Sequence, residues 1–234
     1  MKNNELPDKY ITALRIPWLT SLYDPIVIWT TRESRVKGAL IEQAGLDAKM
    51  KVLDLASGTG TLSLMIKQRF PCVDVEGIDG DPKILQIAQA KSDRVGLDVK
   101  FEQGLATQLP YADFSFDRVF STLFFHHLDL DDKHLVFTEI YRVLKPGGRF
   151  FCLEFSKVQN TSLEILYNNF SKLSPSIGKL IVGDKEPYEY LIKSIENFIN
   201  QDELIDLMKK HNFKKCFYRN LSGGIVSIHS GWKI

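Results

Sequence analysis

The sequence predicts an α/β fold: a seven-stranded, mostly parallel sheet with helices on both faces, finished by an antiparallel hairpin. Three observations support that prediction. From Lys51 onward, short apolar runs alternate with helix-patterned stretches, the pattern of βαβ units. Each run is rich in Val, Leu, Ile and Phe, as strands covered on both faces must be. The last two runs are joined only by LSGG, a link too short for anything but an antiparallel return. At 234 residues, 44% hydrophobic and 25% charged, the chain suits one soluble globular domain spanning 1–234.

The expected parallel strands are Lys51–Leu55, Val73–Asp79, Val99–Gln103, Phe116–Ser121 and Arg149–Phe155. Pro82 suits the first turn of a helix, on which Ile84, Ile87, Ala88 and Lys91 share a face. Val136, Ile140, Val143 and Leu144 repeat such a stripe, and LKPGG (Leu144–Gly148) ends it with Pro and Gly. Asn200 followed by Glu203 forms a capping box opening a helix that carries Leu204, Leu207, Met208 and His211 on one side. Lys215–Arg219 and Ile225–Ser230 then read as the hairpin. Residues 1–45 and 157–198 fall outside this scheme. They are aromatic-rich and helical in pattern, and are expected to be amino-terminal cover helices and an inserted lid over the carboxyl ends of the strands.

Composition excludes several classes. Lys and Arg total 30 against 29 Asp and Glu, a formal charge of +1, which gives no electrostatic case for a nucleic-acid partner. Cys72, Cys152 and Cys216 are far apart, with no CxxC pair, which suits a reducing compartment and argues against a disulfide or zinc framework. No apolar run reaches the roughly 18 residues of a spanning helix. The start MKNNELPDK lacks signal-peptide character, so the expected location is cytoplasmic.

The segment VLDLASGTGTL (Val52–Leu62) is a strand running through a glycine-bearing turn into a helix. Gly58 and Gly60 permit a tight turn and close approach of a ligand to main-chain N–H groups. GxG alone fits a dinucleotide site or a plain turn equally well. Asp54 on the approach would repel a pyrophosphate and attract a cation, which favours S-adenosylmethionine over NAD. Ser63 also stands where a third glycine of GxGxxG would be. Asp79, ending the second strand, is placed to accept from ribose hydroxyls. The structural alternative is that Asp54 caps a turn and Asp79 caps the Pro82 helix.

VLDLASGTG, GIDGD, LPYADFSFDRV and EIYRVLKPGGRF, in this order, resemble the successive motifs of Rossmann-like class I S-adenosylmethionine-dependent methyltransferases over roughly residues 50–155. The stretches Tyr188–Phe198 and Asn220–His229 are similar to the carboxyl-terminal motifs of the ubiquinone/menaquinone-biosynthesis C-methyltransferase family. Tyr23-Asp24 and KGALI from Lys37 resemble its amino-terminal helices. The resemblance implies S-adenosylmethionine as cofactor and a cofactor site of Tyr23, Asp54, Ala56, Gly58, Gly60, Asp79, Gly80, Leu105, Ala106 and Ser121. Leu105 stands where an Asp often meets the adenine amino group, so backbone groups and apolar packing by Leu105 and Ala106 are expected there instead.

A second departure concerns chemistry. The family's F-G-L-R-N-V, whose Arg and Asn are implicated in activating the quinol, is replaced by LFFHHLDL, with His126 and His127 at those two positions. His titrates near neutrality and can take a proton that Arg cannot, so the expected catalytic residues are His126 and His127, acting by base catalysis or on a different acceptor. If the strand were still extended there, the two rings would point apart. A metal pair is disfavoured, and His134, His211 and His229 read as surface or packing residues. Trp18, Tyr23, Trp29, Phe124, Phe125, Tyr167, Phe170, Tyr188 and Tyr190 suit the lining of an apolar cavity. The expected partner is a small hydrophobic acceptor, a quinol among the candidates, reached through transient contact with a membrane surface. O- or N-methylation of another small molecule, a NAD-dependent oxidoreductase and a catalytically silent cofactor-binding protein are the alternatives.

Overall fold

A computed structural model describes residues 33–157, 193–194 and 198–234. Along the chain the elements are α1 (Glu33–Ala44), β1 (Lys51–Leu55), α2 (Thr61–Arg69), β2 (Asp74–Asp79), α3 (Pro82–Val95), β3 (Lys100–Gln103) and β4 (Phe116–Thr122). A 3₁₀ turn (Phe125–His127), α4 (Leu130–Val143), β5 (Leu144–Phe155), α5 (Gln201–Lys210), β6 (Lys214–Leu221) and β7 (Val226–Trp232) complete it. The seven strands form one sheet in the order β3-β2-β1-β4-β5-β7-β6. The first five pair in parallel and the last two antiparallel. This is the Rossmann-like architecture expected.

The order reverses between β1 and β4, the switch point beyond whose carboxyl ends open α/β sheets bind ligands. One face is covered by α1 and α2, which pack Val36, Leu40, Ile41, Leu62 and Ile66 against Val52, Phe120, Phe151 and Ile228. The other is covered by α4 and α5, with Phe137, Ile140, Leu204 and Met208 against Leu53, Val119 and Phe150. Thus the described part of the amino-terminal segment, α1, lies on a sheet face inside the core.

Local chemistry sets the ends of the helices. Asp81 caps α3 by accepting from Lys83 N–H, Asp129 caps α4 from Asp132 N–H, and Asn200 and Glu203 close a full capping box on α5. Two sequence expectations are corrected by packing. The buried face of α3 is Leu85, Ala88 and Ser92, while Ile87 is exposed, because the helix packs on β2 and β3 through that face; Ser92 Oγ also donates to the Leu97 carbonyl. Leu144 opens β5 instead of ending α4, since its Cα pairs with Phe116 of β4. At the hairpin, Ser222–Gly224 form a 3₁₀ turn, with Gly223 and Gly224 at φ 72° and 95°. Among the described residues no helix is long and apolar enough to cross a membrane.

Candidate active site

At the carboxyl end of β1 the chain enters the left-handed region at Ala56 (φ 56°), Gly58 (54°) and Gly60 (73°). The three serve different ends. Ala56 holds a conformation costly for a residue with a side chain, a strain that concentrates at functional sites. A Cβ on Gly58 would meet nothing within 4 Å, so that face of the loop is open. A Cβ on Gly60 would lie 2.6 Å from the Phe101 ring and 3.0 Å from Ala88 Cβ. Gly60 therefore lets the loop pack on β3 and α3, while the Cβ side of Gly58 is open among the described residues.

The two carboxylates differ as sharply. Asp54 is fully buried; its Oδ2 accepts from Ser63 N–H at 3.1 Å and Ser63 Oγ–H at 2.6 Å, while Oδ1 is buried without a partner among the described residues. Burial pushes its pKa up to about 6, against the pull of the Ser63 donors and the Lys37 charge. Ser63, where a third glycine would stand, is thus the side chain that ties β1 to the first turn of α2. Asp79 accepts from Gly58 N–H at 2.9 Å and Asp81 N–H at 3.0 Å, clamping the glycine loop to the end of β2. Burial raises its pKa, opposed by those two backbone donors. It does not cap α3, since Asp81 does.

The other positions gather around these. Gly104 N–H donates to the Asp79 carbonyl, so the half-buried Leu105 and Ala106 follow directly beside the β2 end, where Leu105 bridges Gln108. Gly80 is buried, its carbonyl 3.4 Å from Gln103 Nε2. Ser121 on β4 stands beside Leu55 of β1; among the described residues its buried Oγ has no partner, nor has Ser57 Oγ. Tyr23 lies outside the described residues, as do Trp18, Trp29, Tyr167, Phe170, Tyr188 and Tyr190 of the expected cavity lining. Phe125 is core, fully buried against Phe137 and Phe150, and Phe124 is half-buried beside it.

The histidine pair departs from an extended geometry. After Leu123, again left-handed at φ 53°, the chain turns into the 3₁₀ segment Phe125–His127. The rings of His126 and His127 consequently lie side by side, centroids 3.9 Å apart, instead of pointing to opposite sides. His126 Nδ1 is 2.9 and 3.1 Å from the two oxygens of Glu154 on β5, and its backbone N–H donates to Oε2 at 3.1 Å. Both side chains are fully buried, and His126 Nε2 has no hydrogen-bond partner among the described residues. Burial and the His126 ring push His127 down to about 3, so it is a neutral imidazole at any working pH. Lys133 on α4 donates to the Leu128 carbonyl and stands over the Phe198 ring, its pKa lowered by burial and held up by Glu154.

Glu154 escaped the reading of the sequence, although a signal was present: one carboxylate inside the apolar run FFCLEF must find a partner if both faces are covered. His229 is buried in β7 with a pKa lowered to about 4, and His134 Nδ1 meets His211 Nε2 at 2.8 Å between α4 and α5. No group of three or more His, Cys, Asp or Glu among the described residues is arranged to hold a metal ion.

Comparison with known proteins agrees with this geometry. Residues 27–233 match the model of the ubiE/COQ5 methyltransferase family. The chain is 41% identical over 190 residues to the ubiquinone/menaquinone biosynthesis C-methyltransferase UbiE of Rickettsia akari, covering 78% of this chain and 76% of that protein. Its counterpart in Brucella anthropi is 38% identical over 188 residues, with 78% and 70% covered. Among solved structures, a SAM-dependent methyltransferase from Aquifex aeolicus superposes with a TM-score of 0.68 at 16% identity, over 94% of this chain and 100% of that one. Haemonchus contortus phosphoethanolamine N-methyltransferase 2, in complex with S-adenosyl-L-methionine, gives 0.70 at 15% identity, over 97% and 61%. The solved structures share the fold; the sequence match goes further, and the chain belongs to the ubiE/COQ5 methyltransferase family as an S-adenosylmethionine-dependent methyltransferase.

Proposed function

We propose that this enzyme methylates a ring carbon of a small, hydrophobic quinol. The observation that carries the reading is the 41% identity, across 76% of its length, to a protein named for C-methylation in ubiquinone/menaquinone biosynthesis. The described residues suit the cofactor. Gly58 leaves open space, and Asp54 Oδ1, Ser57 Oγ and Ser121 Oγ are buried polar atoms awaiting partners around the ends of β1 and β4. When bound, S-adenosylmethionine supplies a methyl group on a sulfonium whose leaving form is a neutral thioether. In this reading Asp79 accepts from the ribose hydroxyls, Gly58 and Gly80 present backbone, and Leu105 and Ala106 flank the adenine. Asp54 supplies negative charge beneath the loop, Ala56 and Ser121 frame the switch point, and Tyr23 comes from the amino-terminal segment. His126 and His127 stand toward the acceptor. Holding two reactants in line can supply roughly 7–11 kcal/mol of the barrier, so much of the rate rests on alignment.

In this reading the segments outside the wound sheet, apart from α1, would cover the site, and a prenylated acceptor would be drawn from a membrane surface by a cytoplasmic enzyme. Free Cys72, Cys152 and Cys216 suit that reducing compartment. The test is incubation with S-adenosylmethionine and chemically reduced 2-geranyl-1,4-naphthoquinol, with the product read by NMR. A new aryl C-methyl signal supports the reading; a methoxy signal, or none, sinks it. The methoxy outcome corresponds to a second reading, O-methylation of a phenol, which the histidines in place of Arg and Asn favour.

A further inference from the structure

We propose that Glu154 is a positioning residue that makes His126, and not its neighbour His127, the base toward the acceptor's hydroxyl. The inference rests on the reading that the acceptor carries an ionisable hydroxyl. Both oxygens of Glu154 serve one residue: they lie 2.9 and 3.1 Å from His126 Nδ1, and Oε2 also takes the His126 backbone N–H at 3.1 Å. A carboxylate can only accept, so Nδ1 carries the proton and Nε2 presents its lone pair. That Nε2 is buried and has no partner among the described residues. A lone pair left so is costly in a core and is the group through which a base would work.

The surroundings explain the choice between the two rings. The Phe155 ring meets the His126 ring edge-on at 5.2 Å and that of Phe198 at 6.5 Å, an apolar setting in which an imidazolium needs a counter-charge. Among the described residues, the charged and titratable groups facing it are Glu154 from β5, His127 from the same turn, and Lys133 from α4, whose field acts on Glu154. Of these, only Glu154 stabilises a protonated ring. It contacts His126 directly, whereas the chief charge acting on His127 is that of His126, which opposes its protonation.

The step balances as follows. The quinol O–H proton passes to His126 Nε2, and the oxygen's electron pair is delocalised onto the ring carbon. That carbon bonds the methyl group while the C–S pair stays on sulfur. The ring carbon then loses its own proton to water as His126 returns one to oxygen, restoring the aromatic quinol. The net products are methylquinol, the thioether and one proton.

The variant Glu154→Gln keeps the shape and an oxygen for Nδ1–H but removes the charge. With reduced 2-geranyl-1,4-naphthoquinol, kcat should fall about 10- to 100-fold with both KM values nearly unchanged, and the acid limb of kcat should move to lower pH. An unchanged kcat, or a limb that stays in place, overturns the proposal. A purely structural Glu154 would alter Tm without moving that limb. Should the variant fail to fold, or the wild type not turn over this quinol, the wild-type protein labelled with ¹⁵N-histidine decides. With S-adenosylhomocysteine bound at pH 8, His126 should be the Nδ1–H tautomer; the Nε2–H tautomer overturns the assignment. Absence of turnover sinks the quinol reading alone.

Discussion

Two fully buried carboxylates stand at the carboxyl ends of neighbouring parts of the sheet, Asp54 on β1 and Glu154 on β5, and their partners differ in kind. Asp54 is met by neutral donors, the Ser63 amide and hydroxyl, and burial leaves it with a pKa of about 6. Glu154 is met by a ring that can itself hold a proton. The first arrangement fixes a loop and stores charge beneath it; the second couples the carboxylate to proton movement. In the proposed mechanism the same residue chemistry, buried to the same degree, serves binding in one region and proton transfer in the other through the identity of one neighbour.

The contrast breaks first at the histidines. Replacing His126 with Ala should lower kcat by ~10²–10⁴ while S-adenosylhomocysteine affinity, read by calorimetry, changes little. His127→Ala should cost less than about tenfold, because a ring held near 3 is a poor base. Equal losses in the two variants would dissolve the distinction between the rings.

A second outcome concerns pH. His127 and His229 are held at about 3 and about 4 in the fold, against about 6.5 in an unfolded chain. Unfolding therefore takes up protons below about pH 6.5, and the stability of these neutral rings is lost as pH falls. Asp54, raised to about 6, acts in the opposite sense, its contribution being lost as pH rises from about 4 to 6. The histidines outweigh it, so urea titrations should show a net loss of about 2 kcal/mol between pH 7 and pH 5. A flat profile would mean that these rings are hydrated in solution.

The cofactor side yields smaller effects. Asp79→Ala should weaken S-adenosylmethionine binding by about 1–3 kcal/mol, since it removes a ribose acceptor and frees the Gly58 amide that Asp79 holds. An unchanged Kd would remove Asp79 from the site. Asp54→Asn should weaken S-adenosylmethionine more than S-adenosylhomocysteine, by up to about tenfold, because only the former is a sulfonium. Equal weakening would reduce Asp54 to its bond with Ser63.

How much of this was legible in the sequence differs by region. The parallel strands, the Asn200 capping box and the glycine loop were readable because each rests on neighbours in sequence: apolar runs, a cap three residues from its partner, glycines at a turn. So were the positions of Asp54 and Asp79 beside the loop, whose spacing from it is set by one βα unit. The rotation of α3 was misread, since a long-range hydrophobic surface chose Leu85 over Ile87. The side-by-side histidine rings were not legible for a related reason: their divergence held only for a strand still extended, and the chain turns after Leu123.

By itself the sequence determined the strands and their hairpin, the cofactor class and the departure at His126 and His127, because local pattern and residue chemistry suffice for all of these. Tertiary structure alone decided that Gly60 yields its space to Phe101, that Ser63 holds Asp54, and that His126 rather than His127 meets Glu154. Each of those pairings joins different secondary-structure elements, and the last spans 28 residues of chain. Only the packing of β5 beside β4 brings the Glu154 carboxylate against the His126 imidazole.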